Sequence, residues 1–314
     1  LTYIKALLIA KLDHIDTDQW QSSRLELTSV DKIYTLQVIL MLKEISVCVN
    51  DIEQHPLALV AACKFAQRYA GRVTATYLKI DIANMISGLQ SVSPEVKDKA
   101  IVEINEQHDR TKKMFESLTQ KFDIPIVWRS ISGSLNPVNQ LICSDIIFVN
   151  QIEVEAQAVS KDSLIYRLIL ETKRPILMIP HCWDSDNFGN KTLLGWDNSP
   201  EAMRAVSAAL PLLQESSKVE VLDILDGRIQ RDKYEGLNHI EEYLSRNSVL
   251  GKVIFDDADQ PSKVPGVLAK HCNSGEFDLL VIGAYGHTKD GKLVMEGATN
   301  QLIFDANIPV LFSH

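Results

Sequence analysis

Two stretches far apart in this chain follow one design. Asp145-Ile-Ile-Phe-Val149 answers Asp278-Leu-Leu-Val-Ile282, and Arg174-Pro-Ile-Leu-Met178 answers Ile308-Pro-Val-Leu-Phe312. Asp51 and Asp197 each follow the first apolar run of their own half. Three landmarks recurring in one order mark an internal repeat. The runs are short, apolar throughout and bounded by charges or Gly, which is the pattern of a fully buried strand. Strands apolar on both faces that alternate with helices need a parallel sheet covered on both sides. The repeat therefore predicts two tandem α/β units, each with a five-stranded parallel sheet.

In the first half, strands are expected at Glu44–Val49, Arg72–Leu78, Pro125–Trp128, Asp145–Val149 and Pro175–Ile179. Helices are expected from Pro56 to Gln67, from Ser93 to about Lys121, over Leu135–Ser144 and over Asp162–Thr172. Gly71 reads as a helix stop, and Ser93-Pro94 as a cap with proline in the first helical position. His108, on the long second helix, reads as a half-buried spacer rather than a ligand. His181–Lys191 is polar and aperiodic and reads as a linker. The second half repeats the order, with strands at Thr192–Trp196, Lys218–Leu225, Val249–Phe255, Asp278–Ile282 and Ile308–Phe312. Its helices start at Pro200, Tyr234 and Val264, and the last opens near Gly297.

These units divide the chain into 41–180 and 192–314, joined by 181–191. Residues 1–40 read as an upstream or non-native extension, with Met41 the natural initiator. The alternative is a helical arm packed on the first unit.

Composition narrows the function. A net charge of −9 argues against a nucleic-acid partner, which needs a local excess of Lys and Arg. No run of eighteen apolar residues suggests a membrane span. The five cysteines are odd in number and form no C-x-x-C, so a reducing compartment such as the cytoplasm is expected, with buried apolar roles for the thiols. Adjacent His181-Cys182 and His271-Cys272 rarely aim at one ion, so no metal site is expected. No Ser-His-Asp, Cys-His or paired-carboxylate arrangement stands out, so catalysis ranks below binding.

The glycines single out the end of the chain. Gly283 and Gly286 follow the strand Asp278–Ile282 directly, and Gly297-Ala298-Thr299 opens the last helix. Glycines at a strand's carboxyl end admit a ligand close to the backbone, and N–H groups of a turn and helix start suit phosphate. Neither a P-loop nor a dinucleotide fingerprint is present. The first half lacks these glycines: Asn150 stands opposite Gly283, Glu153 opposite Gly286 and Ser163 opposite Gly297. An acidic side chain repels phosphate, so a nucleotide site belongs to the second half.

Leu194-Gly-Trp-Asp-Asn-Ser-Pro-Glu-Ala202, Val281-Ile-Gly-Ala-Tyr-Gly-His287, Gly297-Ala-Thr299 and Ile308-Pro-Val-Leu311 together resemble a universal stress protein domain. The match spans essentially 191–314 and is weaker over 41–180, so the whole resembles a tandem two-domain member. The resemblance implies a Rossmann-like fold with strand order 3-2-1-4-5 and helices on both faces. It implies an internal pseudo-dimer through the last strands, with further homodimerisation and a protein partner of unknown identity. It implies a stress-response sensor or regulator that binds ATP or another adenine nucleotide, with Mg²⁺. By position, Asp197 would meet the adenosine part and Ile224 the adenine. Gly283 and Gly286 would offer N–H groups to the phosphates, and Gly297, Ala298 and Thr299 would cradle them. Thr288 and Lys289 would add a hydroxyl and a charge.

One departure stands against this. The nucleotide-binding pattern is G-2x-G-9x-G-[ST], whereas Glu296 stands at the third glycine's place and Gly297 follows, giving G-2x-G-10x-G. Two other readings stay open: a nucleotide-free interaction module of the same fold, and a slow ATPase.

Overall fold

The computed structural model describes residues 42–50, 52–53, 56–79, 93–131, 136–152, 164–184, 187–225, 231–284, 286–289, 292–295 and 298–314. The expectations for residues 1–40, and for Asp51, Glu153, Ser163, Glu296 and Gly297, lie outside the described residues. Ile39–His314 forms one compact unit.

The first half runs β1 (Glu44–Cys48), α1 (Leu57–Tyr69), β2 (Arg72–Leu78), α2 (Pro94–Thr119), β3 (Ile126–Ile131), α3 (Pro137–Leu141), β4 (Ile146–Asn150), α4 (Leu164–Glu171) and β5 (Ile176–Ile179). The second runs β6 (Lys191–Trp196), α5 (Pro200–Leu213), β7 (Lys218–Leu225), α6 (Arg231–Arg246), β8 (Gly251–Asp257), α7 (Val264–Cys272), β9 (Leu279–Gly283), β10 (Gly286–Lys289), β11 (Lys292–Met295), α8 (Ala298–Asp305) and β12 (Val310–Ser313). All strands but β10 and β11 join one ten-stranded sheet in the order β3-β2-β1-β4-β5-β12-β9-β6-β7-β8. Pairing is parallel within each half, and β5 meets β12 antiparallel, with Met178 opposite Val310 and Ile176 opposite Phe312.

The repeated aspartates have one structural task. Asp145 accepts the N–H groups of Lys43 and Glu44, both at 2.8 Å. Asp278 accepts those of Gly189 and Lys191 at 2.9 Å and of Asn190 at 3.2 Å. Each carboxylate thus satisfies the donors at the entry of its half's first strand, and charge makes such bonds stronger than neutral ones.

Helix starts follow their caps. Ser199 Oγ accepts the Ala202 N–H at 3.1 Å ahead of α5, and Asn136 Oδ1 accepts that of Val138 at 3.0 Å ahead of α3. At the end of α1 the left-handed residue is Ala70, with φ 48°, rather than Gly71. Gly71 is required for space: a β-carbon there would lie 2.9 Å from the Leu42 carbonyl oxygen.

The seam between the halves is buried from both sides. On one side α4, α7 and α8 pack into a continuous core with β4, β5, β9 and β12, through Ile169, Leu168, Met178, Leu280, Leu302 and Phe312. On the other, the 181–191 segment is more than a polar connector. Trp183 and Phe188 are buried, and Phe188 stacks on Phe65 at 6.0 Å and tilts against Phe148 at 6.4 Å. Two apolar residues in a polar stretch carry no periodicity, so their burial is invisible in the local pattern.

One other element departs from expectation, and the long helix packs lightly. α2 buries only Thr111 and Phe115, and Val96 and Val102 on it are exposed. β10 and β11 form an antiparallel hairpin where a glycine turn running into the last helix is expected. Its sequence signal is Asp290-Gly291 between two short segments, the dipeptide that favours tight hairpin turns.

Candidate functional site

β6 lies between β9 and β7, so the chain leaves β6 and β9 in opposite directions across the sheet. This is the switch point of the second half, where open α/β sheets bind ligands outside the carboxyl ends of their strands. Trp196 pairs in register with Asp223, and Gly195 with Ile282. Asp197 directly follows β6, Ile224 follows Asp223 within β7, and Gly283 follows Ile282 as the last residue of β9.

Asp197 is exposed and directly follows β6. Its Oδ1 accepts the Ser199 N–H at 3.0 Å, which turns the chain towards α5. Asn198 between them is left-handed, with φ 61°, a conformation Asn tolerates well. The other carboxylate oxygen is not part of this turn, and a sugar hydroxyl is a suitable donor for it. Ile224 is half-buried and packs against the central core, so it offers one apolar edge.

Gly283 has a reason that needs no ligand. A β-carbon on it would lie 2.5 Å from the Ala202 nitrogen and 2.6 Å from the Glu201 carbonyl carbon. The end of β9 therefore meets the first turn of α5 backbone to backbone. In the first half Asn150 ends β4, and its Oδ1 accepts the N–H of Ala58 in the first turn of α1 at 2.9 Å. One repeat closes this strand–helix gap with a side chain and the other by removing one.

The remaining residues are partly assembled. Gly286 begins β10 and pairs with Met295, and Thr288 and Lys289 pair with Leu293 and Lys292 in the same hairpin. Ala298 and Thr299 form the first turn of α8, whose N–H groups have no intrahelical acceptors. Thr299 is 3% exposed, backbone and side chain together. Among the described residues no cluster of three or more His, Cys, Asp or Glu could hold a metal ion.

Trp196 is a candidate the motif reading passed over. It is 8% exposed, and its Nε1 is buried with no hydrogen-bond partner. A buried donor left unmade is unfavourable, and a bound molecule or water is the ordinary remedy. Thr76 Oγ1 and Trp183 Nε1 share this state away from the edge. Trp196 differs in its place, immediately before Asp197.

Other polar groups serve packing. His108 lies edge-on to Tyr77 at 5.0 Å and to Trp128 at 5.9 Å, with Nε2 3.1 Å from Ser130 Oγ. Burial pushes the Cys63 thiol up to about 12, which keeps it protonated and unreactive. His271 beside Asp256, at 2.7 Å, holds that carboxyl below its usual range, with a further hydrogen bond from the Asp257 N–H.

The architecture defines a class: α/β proteins whose parallel strands reverse order at a switch point of the sheet. Within it the fold is that of universal stress proteins. A universal stress protein from Archaeoglobus fulgidus DSM 4304 superposes with a TM-score of 0.62 at 14% identity, over 85% of this chain and 97% of that one. Universal stress protein UspA from Lactobacillus plantarum aligns over 41% of this chain and 99% of its own, with a TM-score of 0.35 and 15% identity. By sequence the chain matches no family model and no curated protein. No described helix is long and apolar enough to cross a membrane.

Proposed function

We propose that this chain is a tandem universal stress protein that binds an adenine nucleotide, ATP foremost, in its second half and acts as a stress-response regulator. The observation that carries this reading is the convergence of Asp197, Ile224 and Gly283 on three neighbouring strand ends at the switch point. Asp197 would take a ribose hydroxyl and Ile224 would pack against the base. N–H groups of the Ala298–Thr299 turn would meet the phosphates, with Mg²⁺ offsetting their charge. The two domains divide at 181–191 and act as a pseudo-dimer through β5 and β12. A homodimer or a protein partner would then use other surfaces, in the cytoplasm.

The test is a titration with MgATP that follows Trp fluorescence in the native chain and in Trp196→Phe. Saturable quenching that Trp196→Phe removes, and that Asp197→Ala weakens at least tenfold, supports the reading. No saturable change in the native chain at millimolar MgATP, together with no adenine released by acid extraction, would overturn it.

A second reading has its own observation. Packing against α5 accounts for Gly283, and hairpin pairing occupies Gly286, so neither glycine requires phosphate. On this reading the fold is a nucleotide-free interaction module. A chain that stays unresponsive to nucleotides while capturing a protein partner through a surface of either half would favour it.

A further inference from the structure

One edge of the ten-stranded sheet is complementary to itself. β8, Gly251–Asp257, is the last strand on its side, and among the described residues it pairs only with β7. The register runs from Val219 opposite Gly251 to Leu225 opposite Asp257 without a slip, so β8 has no bulge, and it contains no Pro. Edge strands are commonly guarded by such devices or by charge. The charges of β8 are Lys252, Asp256 and Asp257. Its apolar side chains are open to solvent: Phe255 is 53% exposed, and Leu250 just before the strand is 93% exposed.

The backbone fixes which groups are available. Ala258 donates its N–H to the Leu225 carbonyl at 2.8 Å. Successive residues of a strand turn their N–H and C=O to opposite sides, so Lys252, Ile254 and Asp256 face β7, whereas Gly251, Val253, Phe255 and Asp257 face outward from the edge. Side chains alternate between the two faces of the sheet. Asp256 meets His271 of α7 at 2.7 Å, which puts Lys252 and Ile254 on the α7 face and Val253 and Phe255 on the other.

We propose that β8 pairs antiparallel with β8 of a second copy of this chain, across a two-fold axis at Ile254. In that register Val253 lies opposite the second copy's Phe255, and Gly251 opposite its Asp257. All four turn their N–H and C=O outward, so each opposed pair exchanges two hydrogen bonds. Lys252 lies opposite the second copy's Asp256 on the α7 face, and symmetry makes this contact twice. Both are in the closer, non-hydrogen-bonded positions, where opposite charges attract. Other registers lose the match. With the axis at Val253, Lys252 meets Ile254; with the axis at Phe255, it meets Ala258. A half-step shift opposes an outward residue to an inward one. β3, the other edge of the sheet, has Arg129 as its one charge, so it offers no acid to itself. The matched charges therefore name a second copy as the occupant of the β8 edge. The pairing asks nothing of the switch point, so it stands or falls separately from nucleotide binding.

The experiment is sedimentation velocity on the full chain. One strand pair is a small interface, so a monomer–dimer equilibrium is expected between about 1 and 300 µM. Val253→Pro removes an outward N–H and no bond within the chain, so it should keep the native circular dichroism spectrum and lose the dimer. Lys252→Glu, at an exposed side chain, sets two acidic pairs across the axis and should weaken association about tenfold. Register is read by crosslinking in a Cys143→Ser, Cys182→Ser background, which removes both exposed thiols. There Ile254→Cys should form an intermolecular disulfide under copper–phenanthroline, because opposed Cα atoms of a non-hydrogen-bonded pair are about 4.5 Å apart. Val253→Cys should not, because its two copies are diagonal rather than opposed. A chain that stays monomeric over the whole range, a dimer that survives both Val253→Pro and Lys252→Glu, or crosslinking at 253 in preference to 254 would each overturn the proposal.

Discussion

A β-carbon on Gly283 would lie 2.5 Å from the backbone nitrogen of Ala202, closer than packed atoms approach. The atoms it would meet belong to the backbone of a capped helix, which cannot swing away as a side chain can. Gly283→Ala should therefore force β9 away from α5 and cost about 1–3 kcal/mol, the usual range for overpacking. Urea denaturation followed by far-ultraviolet circular dichroism measures this. The same contact separates the readings of function: a nucleotide role for Gly283 requires that Gly283→Ala lose affinity beyond what its unfolding explains.

Asp145 and Asp278 are the clearest products of the repeat. Asp278 accepts three strand-entry N–H groups where Asp145 accepts two. Replacing either by Ala leaves those donors to find water at a partly buried edge. We expect losses of about 1–3 kcal/mol for Asp145→Ala, with Asp278→Ala the more costly. Equal midpoints for the two variants in thermal melts would contradict the count of bonds.

These aspartates also show what a sequence makes legible. The repeat placed them correctly because the pattern of charge then apolar run is local. Their purpose was not legible, since their partners lie far away in sequence, 101 and 102 residues from Asp145. The same limit hid Phe188, whose ring packs against the distant Phe65 and Phe148, and Trp183, which packs edge-on to Phe188. Gly283 was legible as a demand for closeness, and only the fold supplies Ala202 as one thing it is close to. The hairpin after it was legible in Asp290-Gly291 but competed with a motif reading that expected a loop.

The seam offers a polar test that needs no ligand. Tyr69 is fully buried and its hydroxyl donates to Glu215 Oε2 at 3.0 Å, while Arg68 Nε reaches the same oxygen at 2.6 Å. Arg68 and Glu215 are about a third exposed, so their charge pair adds only about 0–1 kcal/mol. The larger loss in Glu215→Ala comes from the orphaned Tyr69 hydroxyl, about 1–3 kcal/mol. Tyr69→Phe should recover much of that loss in the Glu215→Ala background, because it removes the unsatisfied group. A double-mutant cycle on unfolding free energies checks this, and strictly additive effects would refute it.

The pair formed by Asp256 on β8 and His271 on α7 predicts a response to acid. The His271 hydrogen bond is the main cause that lowers the Asp256 carboxyl, followed by the Asp257 N–H. A carboxyl whose folded value is depressed contributes stability above its unfolded value and loses it as pH falls through the folded one. The contribution is thus complete above about 4, the ordinary carboxyl range, and disappears below it. With side chains 31% and 24% exposed, the pair is screened by solvent and worth about 0–1 kcal/mol. In His271→Ala the Asp256 carboxyl should titrate closer to its ordinary value, and the stability difference between variant and native chain should be present at pH 6 and fade by pH 3. Carboxyl-carbon NMR titration of Asp256 reads the shift directly. An Asp256 titration unchanged in His271→Ala would mean that the Asp257 N–H, rather than the imidazole, holds the carboxylate.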